Sequence, residues 1–199
     1  MAQIVLDQLA AKFTGGEILE SGTSHGDEWA RIRRDAWLAV GEFLRDNPAT
    51  KMAMFIDLTC VDRLGMHGGN PDAPRFDVVL HLYSVVHKHR VRLYCGVTED
   101  DASVDTLCGL WPGANWFERE AYDLYGVRFK GHPDLRRILM YPEFEGHPLL
   151  KSYPAHLTQP LVPYRTEEEA GLPLDKLAPF GPDEGMSFGR KALPTSEEN

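Results

Sequence analysis

Cysteine is scarce in this sequence and is never closely spaced. The 199 residues include three cysteines, Cys60, Cys95 and Cys108, and no Cys-x-x-Cys pair. A standard iron–sulfur cluster or an all-cysteine zinc site needs more thiolates than these, so neither is predicted in this chain. Scattered, unpaired cysteines are also typical of a reducing compartment, where disulfides are rare.

The sequence also lacks a long apolar run and an excess of basic residues. A membrane helix takes about 18 uninterrupted apolar residues, and no stretch approaches this length. The N-terminal residues have no basic lead-in and are interrupted by Asp7, so they do not resemble a signal peptide. Lys and Arg number 21 against 30 Asp and Glu, a formal net charge of −9. We therefore expect no direct membrane span and no nucleic-acid partner, which would require a basic face.

The common motifs of nucleotide-binding and hydrolytic enzymes are missing as well. The sequence contains no G-x-G-x-x-G, P-loop, G-x-S-x-G or H-E-x-x-H. Of the eight histidines, His81, His87 and His89 have no cysteine or carboxylate near them at a recognisable ligand spacing. We predict no catalytic residue, no cofactor-binding residue and no metal ligand in this chain.

What the sequence does contain is a clear order of helix and strand signals. Apolar periodicity and β-branched runs predict short helices and strands near residues 4–13, 17–20, 28–33, 36–44 and 52–61. Apolar residues recur with a period of two over residues 76–86 and again over 91–97, which predicts an antiparallel hairpin with one buried face. The sequence therefore predicts an α+β fold, with helices packed on a mixed, largely antiparallel sheet and followed by an extended C-terminal arm.

The character of the chain changes after Gly126. Residues 127–154 have frequent turn residues and no helical or strand period, and residues 155–199 carry six of the fourteen prolines. We predict a globular domain over 1–126, an extended docking segment over 127–154, and a Pro-rich tail over 155–199 that is disordered or ordered by a partner. The free chain should then resist proteases up to about Gly126 and be labile beyond it.

A helix of about three turns is predicted at the end of the globular domain, over residues 115–125. Asn115 and Glu118 have the spacing of a capping box, and Gly126 suits the position after the last turn. The face predicted to meet the core consists of Phe117, Ala121 and Leu124. The other faces mix large aromatic and charged residues, which is common at interfaces; the candidate interface residues here are Trp116, Glu118, Arg119, Glu120, Tyr122 and Asp123.

Two similar phrases follow this helix, Gly131-His-Pro-Asp-Leu-Arg136 and Gly146-His-Pro-Leu-Leu-Lys151. Glycine and proline around a histidine indicate a pinned turn, and each turn is followed by a cation. These are either two similar surface turns or two docking turns that offer histidine and arginine to an acidic partner surface. The candidate interface residues here are His132, Asp134, Arg136, Arg137, His147, Lys151 and Tyr153.

One stretch resembles a known family closely. The run Trp111-Pro-Gly-Ala-Asn-Trp-Phe-Glu-Arg-Glu-Ala-Tyr-Asp-Leu-Tyr-Gly-Val, followed by Phe129-Lys-Gly-His-Pro-Asp-Leu-Arg-Arg-Ile-Leu, is similar to the signature of the 30 kDa subunit family of respiratory complex I, the NADH-quinone oxidoreductase. Glu145–Pro154 resembles the second motif of that family, with Leu150 and Ser152 where Arg and Asp are usual. The close resemblance covers residues 103–154.

The resemblance implies a non-catalytic structural and assembly subunit in the hydrophilic arm of a proton-pumping NADH:quinone oxidoreductase. FMN and the iron–sulfur clusters would lie in other subunits and none in this chain. The implied partners are the 49 kDa-type subunit and the cluster-bearing subunits of the arm. The complex would hold this chain as a peripheral protein on the cytoplasmic side of a bacterial inner membrane.

Two other hypotheses remain open at this point. The chain could be the equivalent subunit of a related membrane-bound complex, such as an energy-converting hydrogenase or a plastid-type dehydrogenase. It could instead be a stand-alone metal-dependent hydrolase that uses Glu120, Asp123 and His132. Glu118 and Glu120 cannot form a catalytic pair because residues two apart point to different sides of a helix. A scaffold subunit should be colourless when purified and free of stoichiometric iron, zinc or flavin.

Overall fold

In the part of the chain that the structure describes, three α-helices and a mixed five-stranded sheet form the core. The computed structural model describes residues 3–66 and 73–161. The elements in chain order are α1 (Gln3–Lys12), β1 (Ile18–Ser24), β2 (Asp27–Ile32), α2 (Trp37–Asp46), β3 (Met54–Asp62), β4 (Phe76–Ser84), β5 (His89–Val97), β6 (Ser103–Asp105), α3 (Ala114–Tyr125) and β7 (Arg128–Lys130). No helix within the two described ranges is long and apolar enough to cross a membrane.

The strand order confirms the predicted α+β architecture. The sheet runs β1-β2-β5-β4-β3, and every neighbouring pair is antiparallel except β2 with β5. The short strands β6 and β7 pair in parallel as a separate two-stranded sheet, which joins the chain segments before and after α3. The sheet is therefore mixed and largely antiparallel.

The β4–β5 hairpin is the element whose period-two pattern was clearest in the sequence. Its register runs from Phe76 opposite Val97 to Ser84 opposite His89. The alternating apolar residues of β5 are all buried in the core, as are their neighbours on β4. Because alternate side chains of a strand point to opposite faces, this pattern places one face of the hairpin against the helices. The hairpin prediction is confirmed.

Residues 131–161 contain neither a helix nor a strand, and yet they pack with the elements before them. The chain up to Pro160 forms one packed unit. The boundary predicted after Gly126 therefore does not coincide with a break in packing. Residues 162–199 of the predicted tail lie outside the described residues.

Candidate partner interface

Helix α3 is the centre of the candidate site. It ends as predicted, with Gly126 in the left-handed conformation at φ 80° and its N–H bonded to the carbonyl of Tyr122. The predicted capping box is wrong. Gly113 precedes the first turn without any side-chain hydrogen bond, and Glu118 turns into the protein instead of back to the helix start.

Glu118 is fully buried and binds the segment after β6. Its Oε1 accepts a hydrogen bond from the N–H of Leu107 at 2.7 Å, and its Oε2 accepts one from the hydroxyl of Thr106. Burial raises the pKa of Glu118 above its usual value, and the hydrogen bonds from Thr106 and Leu107 oppose that shift. Its carboxylate is engaged within the chain and is not exposed to a partner, contrary to the sequence-based prediction.

Asp123 is the second buried carboxylate of the helix, and it organises the segment after β7. Its Oδ2 accepts hydrogen bonds of 2.7 to 3.0 Å from the backbone N–H groups of Ile138, Leu139 and Met140. Its Oδ1 accepts one from Arg137 at 2.9 Å. Burial alone raises the pKa of Asp123, but these hydrogen bonds outweigh it and hold the pKa below its usual value. This predicted interface residue is likewise buried and bonded inside the chain.

Two arginines complete the attachment of this segment to α3. The guanidinium of Arg119 donates to the carbonyl oxygens of Arg136 and Arg137, at 3.1 and 3.3 Å. Arg137 donates to the carbonyl of Gly146 at 2.9 Å as well as to Asp123. Both guanidiniums therefore bridge parts of this chain, whereas Arg136 remains 73% exposed and pairs with the exposed Asp134.

Each of the two Gly-His-Pro turns is pinned to α3 through its histidine. His132 accepts the N–H of Asp134 on Nδ1 at 3.0 Å, so its Nε2 carries the proton and donates to the carbonyl of Asn115 at 3.3 Å. His147 donates from Nδ1 to the carbonyl of Asp123 at 2.8 Å, and its ring meets Tyr122 edge-on. The turns are thus attached to the start and the end of the same helix.

The second turn is also bound to the sheet. Asp62, at the end of β3, accepts the N–H of Lys151 on Oδ2 at 2.9 Å, across 89 positions of sequence. Arg75 bonds both oxygens of Asp62 and donates to the hydroxyl of Ser152 at 2.9 Å. Ser152, one of the two departures from the family motif, therefore contributes a contact within the chain. Tyr153 stacks on Phe144 in the same segment.

Apolar side chains remain exposed on α3 and on the segment attached to it. Trp116 is 64%, Leu139 56% and Leu149 49% exposed. The charged side chains of Glu120, Arg136 and Lys151 are exposed in the same elements. We call these six residues the docking surface. Exposed large apolar residues among charged ones are typical of a surface that another protein covers.

The close approach of His147 to Gly126 gives a prediction about stability. Gly126→Ala should lower the free energy of unfolding by about 1–3 kcal/mol, since a left-handed conformation disfavours a side chain and the new Cβ would lie 2.8 Å from the His147 ring. Urea denaturation measures this loss. Gly109→Ala is the control, because its Cβ would meet nothing within 4 Å. A loss no larger for Gly126→Ala than for the control would contradict the account.

The potential metal ligands of the chain are not the ones that the sequence suggested. Glu120 is exposed while Asp123 is enclosed by backbone N–H groups, so the hydrolase set of Glu120, Asp123 and His132 is not assembled. Within the described ranges, one group of histidine, cysteine and acidic side chains could hold an ion, namely Cys108, Glu118 and His132. Its members are 10 and 14 positions apart, a spacing that signals nothing in the sequence.

Known proteins resemble this chain over most of its length. Residues 30–159 match the model of the family described as "Respiratory-chain NADH dehydrogenase, 30 Kd subunit". The chain belongs to this family. It is 43% identical over 147 residues to the C subunit of the NADH-quinone oxidoreductase of Geotalea uraniireducens, and the match covers 74% of this chain and 84% of the relative. A C/D subunit of the same enzyme from Cronobacter sakazakii is 38% identical over 188 residues, covering 93% of this chain and 31% of the relative.

Solved structures show the same fold. A structure titled "Nqo5 of the trypsin-resistant fragment" is 30% identical, with a TM-score of 0.55, and covers 67% of this chain and 98% of that one. A chain of an archaeal membrane-bound sulfane sulfur reductase has a TM-score of 0.60 at 20% identity, which is a likeness of fold alone; it covers 78% of this chain and 86% of that one. The family predicted from the signature around α3 is thus confirmed, and the chain is a subunit of the NADH-quinone oxidoreductase type.

Proposed function

We propose that this chain is a non-catalytic structural and assembly subunit in the hydrophilic arm of a proton-pumping NADH:quinone oxidoreductase. The proposal rests on the contacts that the charged groups of the family signature make within this chain. Glu118, Arg119, Asp123 and Arg137 bind the chain's own segments to α3. These contacts hold the segments in place on α3, and the residues of the docking surface remain exposed for a neighbouring subunit.

We further propose that the chain itself holds no FMN and no iron–sulfur cluster, which lie in other subunits. Cys60 and Cys95 are buried in the apolar core, and burial raises the pKa of both thiols, that of Cys95 to about 12. Because a cluster is bound by thiolates, two of the three cysteines are unsuited to the task. The electron transfer from NADH to quinone is then the work of the whole complex.

The partners we propose are the 49 kDa-type subunit and the cluster-bearing subunits of the arm. The C/D relative carries the names of two subunits on one chain. Joining two chains is productive when the two parts sit side by side, because the link raises their effective concentration. This supports a direct contact with a subunit of the D type. Through such contacts the chain would be peripheral to a bacterial inner membrane, on the cytoplasmic side.

The test is an alanine scan of the docking surface in the native host. Leu139→Ala and Trp116→Ala should reduce the amount of assembled complex, because truncating a central interface residue costs about 2 kcal/mol or more, roughly a 30-fold loss of affinity. Leu19→Ala and Val86→Ala are matched controls, since both side chains are equally exposed and lie elsewhere in the fold, at 59% and 62%. All four free chains should keep their stability within about 0.5 kcal/mol.

Native gels measure complex abundance, and quinone reduction is measured in the same membranes. The rate per assembled complex should stay near normal in all four variants. Full assembly with a turnover loss of about a hundredfold, the size typical of a lost general acid or base, would refute the scaffold role. Chains co-purifying with the wild type also decide between this complex and a related one, such as an energy-converting hydrogenase.

A further inference from the structure

Three metal-ligating side chains from separate segments meet at the start of α3. Cys108 follows β6, Glu118 lies on the buried face of α3, and His132 belongs to the first Gly-His-Pro turn after β7. One ligand atom from each lies within 4.8 Å of the others. We propose that Cys108, Glu118 and His132 form a structural site for a divalent zinc-class ion, which fastens the loop after β6 and the first turn to the helix.

The distances are close to those that zinc requires. Zinc binds sulfur at about 2.3 Å and nitrogen or oxygen at about 2.0–2.2 Å, so the ligand atoms of a tetrahedral site lie about 3.3–3.8 Å apart. Cys108 Sγ already lies 3.4 Å from Glu118 Oε2. Contraction by about 1 Å, mainly at His132, would bring the third ligand into range.

The existing hydrogen bonds of Glu118 are compatible with an ion. Its oxygens accept from the N–H of Leu107 and the hydroxyl of Thr106. An ionised carboxylate has lone pairs for about four such contacts, so Oε2 can keep the Thr106 bond and coordinate as well. Those two bonds would then orient the carboxylate from behind, as supporting groups do in metal sites.

Before His132 can bind the ion through Nε2, its ring proton must move from Nε2 to Nδ1. At present Nδ1 accepts the N–H of Asp134 and Nε2 donates to Asn115 at 3.3 Å, a long hydrogen bond. Coordination through Nε2 requires the proton on Nδ1, so the exposed N–H of Asp134 would turn to water instead. Binding would therefore change the conformation of the first Gly-His-Pro turn, which carries Arg136 of the docking surface.

A surface hollow reaches one of the three proposed ligands, Cys108. This hollow of about 520 Å³ is lined also by Thr106, Gly131 and Pro133, with the carboxylate-bearing Glu42 at its wall. Water could supply a fourth ligand. Cys108 would bind the ion as a thiolate, so its thiol proton would pass to solvent when the ion binds.

The experiment uses the full-length chain, reduced and stripped with a chelator. Titration with Co²⁺ should give the visible bands and the thiolate charge-transfer band of one bound ion per chain, and Zn²⁺ should displace it. Cys108→Ser and His132→Gln should each weaken binding at least about tenfold. Cys60→Ser and His156→Gln are controls and should bind as the wild type does, with circular dichroism confirming that all variants are folded.

A second readout is thermal stability. Zinc should raise the melting temperature of the wild type, reversibly with chelator, and should not do so for the two ligand variants. The proposal is overturned if the wild type shows no Co²⁺ bands, or if both ligand variants retain wild-type affinity. Either result would restore the expectation of a zinc-free chain and leave the assembly role untouched, because that role is measured by complex abundance.

Discussion

Asp123→Ala should lower the free energy of unfolding of the free chain by about 3–5 kcal/mol, among the largest losses expected for this protein. The carboxylate is fully buried, and its removal would leave the Arg137 guanidinium and three backbone N–H groups without their acceptor. Unpaired buried polar groups cost their full desolvation free energy. Urea denaturation of the purified chain at pH 7 measures the loss.

The pH dependence of this loss follows from the lowered pKa of Asp123. A carboxyl group whose pKa is lower in the folded chain stabilises the fold at pH values above its unfolded pKa, about 3.9. That contribution is lost as the pH falls from this value through the folded pKa. The difference in stability between wild type and Asp123→Ala should therefore be complete at pH 7 and should shrink in acid. A difference that grows as the pH falls would contradict the assignment.

The same turn offers a matched control in a second ion pair. Arg136 and Asp134 form a salt bridge at 2.9 Å, but their side chains are 73% and 56% exposed. Exposed pairs contribute about 0–1 kcal/mol, so Asp134→Ala should leave the stability nearly unchanged. If Asp123→Ala costs no more than Asp134→Ala, the carboxylate does not organise this segment.

The contacts of Arg136 and Arg137 give these two cations of the first turn different roles. If the first turn is a docking turn, at least one of Arg136 and Arg137 should pair with a neighbouring subunit. Arg137 is bonded to Asp123 and Gly146, so its replacement acts through the stability of this chain. Arg136 is exposed, and its replacement can reduce assembly only through a partner. Comparing the stability of free Arg136→Ala and Arg137→Ala chains separates the two effects.

Apolar periodicity predicted the hairpin of the sheet, but it did not predict the buried carboxylates of α3. The β4–β5 hairpin could be predicted because every second residue on one face of both strands is apolar and buried, from Phe76 to Leu82 and from Val91 to Val97. In α3, Phe117, Ala121 and Leu124 were predicted to face the core. Ala121 is buried and Phe117 packs against the core as predicted, but Glu118 and Asp123, which were assigned to the other faces, are buried as well. A prediction from apolar periodicity assigns every carboxylate to the exposed side of the helix. The groups that compensate Glu118 lie 11 and 12 positions away, where no local rule finds them.

The packing of the segment after Gly126 could not be predicted for the same physical reason. Its sequence showed no helical or strand period over residues 127–154, and within that range the structure has one short strand, β7. The sequence did not reveal that buried carboxylates at Asp62 and Asp123 would bind the segment through its backbone N–H groups. Any residue except proline can donate such a bond, so polar attachment leaves no trace in the side-chain pattern.

Asp62→Ala should release the second Gly-His-Pro turn from the sheet. Asp62 accepts the N–H of Lys151 and pairs with Arg75, whose side chain is only 10% exposed. Burial favours a higher pKa for Asp62, but the bonds from Arg75, Lys151 and Leu64 hold it below its usual value. Removing one partner of a buried pair costs about 3–5 kcal/mol, and part of that loss should appear as local opening around residues 147–153.

Trypsin cleavage after Lys151 measures this opening. When opening is fast relative to cleavage, the cleavage rate follows the population of the open form, so a loss of about 3 kcal/mol corresponds to an increase of about a hundredfold. Cleavage after Lys88, in the exposed turn between β4 and β5, is the internal reference, and its rate should change little unless the whole chain unfolds. Ser152→Ala removes only an exposed hydroxyl bonded to Arg75 and should accelerate cleavage far less than Asp62→Ala.

If Lys151 of the wild type is cut as fast as Lys88, the turn is not held by Asp62 in the free chain. The segment would then be ordered only by a partner, as its sequence alone predicted.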